Sequence, residues 1–196
     1  MIGNENLRRV AVLASGEGTN LQALLDHVDG HDGIEIVCVA GSKPEINALE
    51  RAKAAGVETS VFAKADYQSR EARDLELASW LRERKIGLVV TAGWMELLTP
   101  SLINTFKDRV VNVHPSLLPD FPGIDAVGQA VAAGASTTGV TVHLVDEGID
   151  TGRVLMQEAV ELPPGVTKEE AIELLRPVEH RLLPEAVRGL AAGRLA

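Results

Sequence analysis

An amide and an imidazole stand close together at the end of an apolar run in this chain. Asn112 and His114 follow Arg109–Val111. Alternate residues of a β-strand point to one face, so these two side chains would project side by side. Pro115 cannot continue a central ladder, which predicts that the strand ends at His114. Ligands bind at that edge of open α/β sheets, although an isolated pair of this kind is more often part of a well-satisfied turn.

Asp150 is the predicted partner of this pair. It lies in a loop where Gly148 and Gly152 bracket a chain that must fold tightly around the carboxylate. A carboxylate within reach of His114 would favour the imidazolium form of the ring. Together, the three side chains could donate hydrogen bonds to a developing negative charge and accept a proton.

The other polar residues near Asp150 are interpreted as structural. Asp146 and Glu147 are expected to lie in a solvated turn, because the spacing of the carboxylates in this loop matches no calcium pattern. His143, on the preceding apolar stretch, is expected to be a satisfied structural histidine rather than a catalyst. No set of metal ligands is evident in the sequence, so we expect no bound metal ion.

The Gly-rich turn Ser15–Asn20 (SGEGTN) follows the first predicted strand and opens the first helix. Small residues and the free N–H groups of a helix start predict that Gly18, Thr19 and Asn20 hold a single phosphate. Thr19 with Gln22 matches a capping box. The dinucleotide fingerprint lacks its third Gly and the Walker loop lacks its Gly-Lys-Ser/Thr ending, so neither NAD nor ATP is expected.

Composition narrows the class of protein. The chain has 196 residues, of which 45% are hydrophobic and 24% charged, with a formal net charge of −9. A single domain (1–196) fits this length, and the acidic balance disfavours nucleic acid as a partner. Cys38 is the single cysteine and is expected to be buried and inert. With no signal-peptide pattern and no apolar run long enough to span a membrane, we expect a cytoplasmic protein.

Strand-like and helix-like segments alternate through the first two-thirds of the chain, which predicts an α/β fold with a doubly wound, mostly parallel sheet and helices on both faces. Thr138–Val145 and Val154–Leu162 are joined by a short loop and predict an antiparallel C-terminal strand pair. Thr167 and Glu170 predict a second capping box, opening a helical region that Pro177 and Pro184 should kink or divide.

With these residues assembled, the chain resembles the phosphoribosylglycinamide formyltransferase family of de novo purine synthesis over essentially its whole length. Glu179-His180 with Pro184 matches the C-terminal element of that family. The longest motif is shared by several 10-formyltetrahydrofolate enzymes. The Gly-Thr-Asn loop narrows the choice among these enzymes to the phosphoribosylglycinamide formyltransferase family. The four main motifs are SGEGTN at Ser15–Asn20, AGWMELL at Ala92–Leu98, NVHPSLLP at Asn112–Pro119 and GVTVHLVDEGIDTG at Gly139–Gly152.

The resemblance implies transfer of the formyl group of 10-formyltetrahydrofolate to the amine of glycinamide ribonucleotide, with both compounds as small-molecule partners. The oligomeric state is left open, with a homodimer as one alternative. It implies a mononucleotide-binding half of about 1–110 and a folate-binding half of about 111–196. Asn112, His114 and Asp150 would be catalytic, Gly18, Thr19 and Asn20 would hold the substrate phosphate, and Glu179 would contact the ribonucleotide. The implied folate-binding residues are Arg70, Met95, Glu96, Leu97, Leu98, Asp146, Glu147, Gly148, Ile149 and Asp150.

Two residues of this chain differ from the pattern of the family, and three alternative functions are left open. Family members often carry His where Asp125 stands here, which puts an auxiliary contact in doubt, and Arg where Glu96 stands. Methionyl-tRNA formyltransferase would need a further basic C-terminal domain, and formyltetrahydrofolate hydrolase an additional N-terminal regulatory domain. A non-catalytic folate- or nucleotide-binding module is disfavoured because all three catalytic residue types are retained.

Overall fold

The computed structural model describes residues 7–195 of the chain. Its strands are β1 (Arg9–Ala14), β2 (Glu35–Gly41), β3 (Glu58–Val61), β4 (Leu88–Thr91), β5 (Val110–His114), β6 (Thr137–Leu144) and β7 (Val154–Glu161). Its α-helices are α1 (Thr19–His27), α2 (Asn47–Ala54), α3 (Arg70–Glu83), α4 (Pro100–Thr105), α5 (Ala126–Ala132) and α6 (Lys168–Ala191).

The strands form one seven-stranded sheet in the order β3-β2-β1-β4-β5-β6-β7. The five strands from β3 to β5 in this order are parallel, β6 is antiparallel to β5, and β7 is antiparallel to β6. This confirms the predicted α/β class, with a doubly wound and mostly parallel sheet extended by an antiparallel strand pair.

The central strands are buried on both faces, as expected where helices cover a parallel sheet on both sides. Val10 and Val12 of β1 belong to one core, which also contains apolar residues of α1, α2, α5 and α6. Ala11 and Leu13 belong to a second core on the opposite face, under α3 and α4. Cys38 of β2 lies in this second core, and burial raises the pKa of its thiol to about 12, which keeps it protonated and inert.

The long helix α6 differs from its prediction in one respect. Its capping box is present, with Thr167 accepting from the Glu170 amide and the Glu170 carboxylate accepting from the Thr167 amide. Pro177 and Pro184, however, both lie inside one continuous helix of 24 residues, so of the two predicted outcomes, a kink or a division, the division is wrong. The apolar face of α6 packs against α1 and the sheet, and this burial offsets the backbone hydrogen bonds that the prolines remove. Across residues 7–195, no helix is long and apolar enough to cross a membrane.

The sheet brings three chain segments to one place. The parallel strands β1, β4 and β5 all end at one edge, where the segments after Ala14, Thr91 and His114 begin. The loop after β6 returns over β5, because Val145 donates its amide to the Val110 carbonyl and Asp150 lies beside Asn112. Side chains that are far apart in the sequence can therefore meet at this edge.

Removing the cap of α6 should weaken the fold. Because Thr167 satisfies an amide of the first turn, we expect Thr167→Ala to lower the free energy of unfolding by about 1 kcal/mol. Urea denaturation measures this change, and Thr167→Ser, which keeps the hydroxyl, serves as the control. Equal midpoints for the alanine variant and the wild type would contradict the role assigned to the cap.

Candidate active site

Asn112 and His114 lie on β5 and line the same cavity. Asn112 is paired with Thr91 on β4, and the Thr91 hydroxyl donates to Asn112 Oδ1 at 2.7 Å. This bond fixes the orientation of the amide, so that Asn112 Nδ2 faces His143 Nε2 at 3.1 Å and Asp150 Oδ1 at 3.5 Å. The amide donor is therefore held in place by the neighbouring strand.

Both ring nitrogens of the buried His114 face oxygen acceptors. Nε2 donates to the Phe121 carbonyl at 2.9 Å, because a carbonyl oxygen can only accept. Nδ1 lies 3.4 Å from Asp150 Oδ2. A ring that carries both protons would donate to the two acceptors at once.

The Asp150 carboxylate joins β5, β6 and the loop after His114. Besides its contacts with Asn112 and His114, it accepts from the Gly123 amide at 2.7 Å and lies 3.5 Å from His143 Nε2. Burial raises the pKa of Asp150. The hydrogen bond with His143, the Gly123 amide and the positive charges of the two histidines lower this pKa, and together they outweigh the effect of burial. The net pKa lies below its ordinary value, so this carboxylate is ionised at neutral pH.

His143 belongs to this site, which the sequence reasoning missed. It lies directly opposite Asn112 in the antiparallel register of β5 and β6. Nδ1 donates to the Leu144 carbonyl at 2.8 Å, which leaves Nε2 facing the Asn112 amide and the Asp150 carboxylate. A neutral ring accepts from the amide and a charged ring donates to the carboxylate. The register of an antiparallel pair cannot be deduced from residue spacing, which is why no signal in the sequence marked this residue.

The loop around Asp150 is compact. A Cβ on Gly152 would clash with the Leu144 carbonyl, and one on Gly148 would clash with the Thr151 hydroxyl. Asp146 accepts from the Gly148 amide at 3.0 Å and from the Thr151 hydroxyl at 2.7 Å, which closes the turn. Asp146 and Glu147 are exposed, as the interpretation of a solvated turn expects.

The Gly-rich turn is held against α2. Gly18 has a φ of 71°, and a Cβ there would lie 2.6 Å from the Ala48 backbone, so only glycine fits. Gly18 is also the N-cap of α1, with no side-chain cap, and Thr19 is the first helical residue. The predicted capping box of Thr19 with Gln22 is therefore wrong, because the left-handed glycine begins the helix one residue earlier. The uncapped first-turn N–H groups of α1 are suited to an anion.

Glu179 of α6 reaches the start of α1. The Asn20 amide donates to its carboxylate at 3.3 Å, while the buried Asn20 Oδ1 has no partner among the described residues. Burial raises the pKa of Glu179, against smaller lowering effects of the Asn20 hydrogen bond and the Arg176 charge, and the net pKa is raised. These two side chains offer polar atoms for a ligand to satisfy.

Three cavities meet around these residues. The Gly-loop cavity, of about 210 Å³, is lined by Ser15–Asn20 and by Ala92, Gly93 and Met95. The central cavity, of about 610 Å³, contains Asn112, His114 and Glu179 in its lining, and it shares Gly93 and Met95 with the Gly-loop cavity. The outer cavity, of about 330 Å³, is lined on one side by Glu96–Pro100 and on the other by Val145–Asp150.

The outer and central cavities also share residues, and Asn112 and Asp150 are two of them. The three cavities are therefore neighbours, and the polar cluster lies where the outer and central cavities meet. Met95 lines the central and Gly-loop cavities but not the outer one, unlike the other residues of the expected folate-binding set. The residues of that expected set that do line the outer cavity are Arg70, Glu96, Leu97, Leu98, Asp146, Glu147, Gly148, Ile149 and Asp150.

Asp125 lies at the rim of the central cavity. Its carboxylate caps α5 by accepting from the Gly128 amide at 3.2 Å, and it forms an ion pair with Lys168 at 2.7 Å. The side chains of Asp125 and Lys168 are both about half exposed. Asp125 therefore anchors the segment that carries Phe121 and Gly123, whose backbone groups contact His114 and Asp150.

Comparisons with known proteins give one family. The Formyl transferase family model matches residues 8–187. The phosphoribosylglycinamide formyltransferase of Bacillus subtilis is 36% identical over 186 residues, which are 94% of this chain and 95% of that protein. The trifunctional purine biosynthetic protein adenosine-3 of Drosophila pseudoobscura pseudoobscura is 42% identical over 191 residues, or 96% of this chain, but the match spans only 14% of that longer protein.

A solved structure agrees with these sequence matches. Glycinamide ribonucleotide transformylase 1 from Symbiobacterium toebii superposes with a TM-score of 0.93 at 41% identity, covering 96% of this chain and 89% of the other. The seven-stranded sheet and its helices are therefore the fold of that enzyme as well.

The buried Glu179 carboxylate should cost stability at neutral pH. Because the folded-state pKa of Glu179 is raised, its protonated form is favoured in the fold, and that stabilisation is lost as the pH rises through the folded-state pKa. We expect Glu179→Gln to be more stable than the wild type at pH 7, since it removes the charge and can donate to the unpartnered Asn20 Oδ1. The difference should shrink on acidification towards the ordinary glutamate pKa of 4.5.

Thermal unfolding at pH 7 and at lower pH values measures this effect. Glu185→Gln, at an exposed position of the same helix, is the matched control and should change stability little. A Glu179→Gln protein that is less stable than the wild type at pH 7 would contradict the expectation.

Proposed function

The chain belongs to the formyl transferase family, and we propose that it transfers the formyl group of 10-formyltetrahydrofolate to the amine of glycinamide ribonucleotide, a step of purine biosynthesis. The observation that supports this proposal most directly is the row of three neighbouring cavities between the uncapped start of α1 and the acidic loop, with Asn112, His114 and Asp150 in the lining of the central one. A phosphorylated amine and a folate can approach this cluster from opposite ends.

The amine substrate occupies the Gly-loop and central cavities in this proposal. Gly18, Thr19 and Asn20 hold its phosphate at the start of α1, where backbone N–H groups and the helix dipole favour negative charge. Glu179 accepts hydrogen bonds from the substrate in the central cavity, and its contact with Asn20 links the two cavities. The amine then lies beside His114 and Asp150.

The folate occupies the outer cavity. Its walls are two irregular segments, Glu96–Thr99 and Val145–Asp150. The backbone groups of these segments that are not already bonded within the protein form hydrogen bonds to the flat heterocycle in this proposal. Arg70 lies at this cavity and supplies a positive charge for the acidic part of the co-substrate. The formyl group then points to Asn112 and Asp150, which line both the outer and the central cavity.

The reaction is attack of a neutral amine on the formyl carbon. The new C–N bond places negative charge on the formyl oxygen. The Asn112 amide donates a hydrogen bond to this oxygen, and the positive charge of a doubly protonated His114, whose ring nitrogens face Phe121 and Asp150, stabilises it electrostatically. Asp150, ionised at neutral pH, accepts a proton from the amine nitrogen, which is positively charged once the new bond has formed, directly or through water. The formyl C=O then re-forms as the bond from the formyl carbon to the folate nitrogen breaks. The folate nitrogen takes up the proton that Asp150 accepted, which leaves tetrahydrofolate and the formylated amine.

One domain (1–196) carries both halves of this proposed site, with the cytoplasm as the proposed compartment. The first half, about 1–110, supplies the phosphate-binding turn and one wall of the folate cavity. The second half, about 111–196, supplies the catalytic residues, the acidic loop and Glu179. The free buried Cys38 is compatible with a reducing compartment.

Purified protein should release tetrahydrofolate from 10-formyltetrahydrofolate only when glycinamide ribonucleotide is present. The absorbance change of the folate measures this release, and mass spectrometry of the ribonucleotide detects the added formyl group. Equal folate release without the ribonucleotide would overturn the proposal in favour of a hydrolase. Formylation of methionyl-tRNA instead of the ribonucleotide would overturn it in favour of another transferase.

Substitution of the three catalytic residues should separate their roles. Asn112→Ala should lower kcat by about 10²–10³-fold, in line with the loss of one oxyanion donor. His114→Ala and Asp150→Ala should each abolish measurable turnover, because each removes both a polar group and the charge that its partner requires. Steady-state kinetics measures these changes on variants whose folding is checked by urea denaturation.

His31→Ala, at an exposed histidine outside the cavities, is the control and should turn over like the wild type. Wild-type rates in either His114→Ala or Asp150→Ala would refute the mechanism.

A further inference from the structure

Arg73 is a fully buried cation that the proposed mechanism does not use. It lies on α3, and its side chain and that of its neighbour Asp74 have no exposed surface. Arginine is almost never fully buried without partners, because an ion that leaves water must be compensated by charge and hydrogen bonds. The partners of Arg73 therefore indicate what this buried charge holds in place.

Most of those partners lie in one segment of the chain, which we call the wall segment (Trp94–Thr99). Arg73 Nη2 donates to the Leu97 carbonyl at 3.1 Å and Nη1 donates to the Glu96 carboxylate at 3.3 Å. The guanidinium carbon also lies 5.5 Å from the centre of the Trp94 ring, within cation–π range. One side chain thus contacts three residues of the wall segment.

Asp74 completes this attachment. It accepts from Arg73 at 2.8 Å through Oδ1 and from the Thr99 backbone amide at 2.6 Å through Oδ2. The two charged side chains of α3 therefore hold one carbonyl and one amide of the wall segment, two residues apart. Because backbone groups are held, the path of the chain between them is set as well as the positions of its side chains.

The wall segment needs such support because it has no helix or strand of its own. It nevertheless forms one side of the outer cavity, which Trp94, Glu96, Leu97, Leu98 and Thr99 all line. Irregular segments that line cavities are held in place by packing and side-chain hydrogen bonds, and their accuracy limits the fit of a ligand.

Arg73 also offsets the negative charge of Glu96. Its carboxylate lines the outer cavity, its side chain is 28% exposed, and its ion pair is with Arg73. An unpaired carboxylate there would repel the acidic part of a folate and oppose Arg70, which lines the same cavity. The buried guanidinium offsets that charge from beneath the wall.

We propose that Arg73 and Asp74 are positioning residues that set the wall segment of the folate cavity, and that Arg73 also offsets the charge of Glu96. This inference rests on the proposed function, since it takes the outer cavity to be the folate site. It assigns to the buried Arg73 and Asp74, which contact neither substrate, a role in affinity for the co-substrate. The wall segment also borders the central cavity, but the proposed contacts of the amine substrate are with Gly18–Asn20 and Glu179, so its affinity should change less.

The test is the separation of the two Michaelis constants in Arg73→Met. Loss of the wall contacts should raise KM for 10-formyltetrahydrofolate about tenfold or more, while KM for glycinamide ribonucleotide and kcat at saturation stay within about threefold of the wild type. Calorimetric titration with tetrahydrofolate should show a matching loss of affinity. Arg73→Lys should recover part of that affinity, because it restores the charge without the planar fork that reaches several acceptors at once.

Two further variants keep the inference falsifiable. Arg73→Met/Asp74→Asn removes the unpaired buried carboxylate while keeping an acceptor for the Thr99 amide, and it replaces the single variant if that one does not fold. Arg84→Met is the matched control, because Arg84 ends α3, stacks on Trp80 at 4.2 Å and pairs with Glu58, outside the three cavities. It should lower stability without changing either KM.

The outcomes distinguish this inference from the proposed function. Unchanged folate KM and tetrahydrofolate affinity in the folded Arg73 variants would overturn the inference, and so would equal changes in both Michaelis constants. A wild-type protein that binds tetrahydrofolate without transferring the formyl group would overturn only the proposed function, since the calorimetric comparison would still decide the role of Arg73. A wild-type protein that does not bind tetrahydrofolate would overturn both.

Discussion

The site depends on one partly buried carboxylate. Asp150 lies within 3.5 Å of Asn112 Nδ2, His114 Nδ1 and His143 Nε2, and it also accepts from the Gly123 amide. These groups come from β5, β6 and the loop after β5, so the carboxylate fixes the relative positions of three segments. A carboxylate that is partly removed from water needs several hydrogen-bonding or charged partners, and Asp150 in turn holds its partners in place. Structure and proposed chemistry therefore depend on the same charge.

The direction of β6 makes this arrangement possible. An antiparallel strand places His143 beside Asn112 and lets the next loop return over β5, which a parallel crossover of this length could not do. Register matters as much as direction, because a slip of one residue would turn His143 to the other face of the sheet. The reversal of strand direction at β5 thus supplies both a neighbour for the catalytic amide and the path that brings Asp150 to it.

Much of the fold could be predicted from local patterns in the sequence. Alternating segments and apolar strands predicted the parallel sheet, and the spacing of Asn112 and His114 predicted a shared face. Features that depend on tertiary contacts could not be predicted from local sequence patterns. The role of His143 depends on strand register, the start of α1 depends on the left-handed Gly18 against Ala48, and the continuity of α6 through Pro177 depends on its buried face. Local preference and packing favoured different outcomes at these places, and packing decided.

The two acidic departures from the family pattern carry different weights for the same physical reason. Asp125 pairs with Lys168 at the surface, where water screens both charges and the pair contributes little to stability. Glu96 pairs with Arg73, whose side chain is wholly out of water and whose other bonds hold the Leu97 carbonyl and Asp74. A change at Asp125 therefore loses little from the ion pair itself, although it removes the cap of α5. A change at Glu96 alters the balance of a buried network, and that network reaches the backbone of the cavity wall. An acidic residue in such a cavity has to be judged together with the cation that faces it from the neighbouring helix.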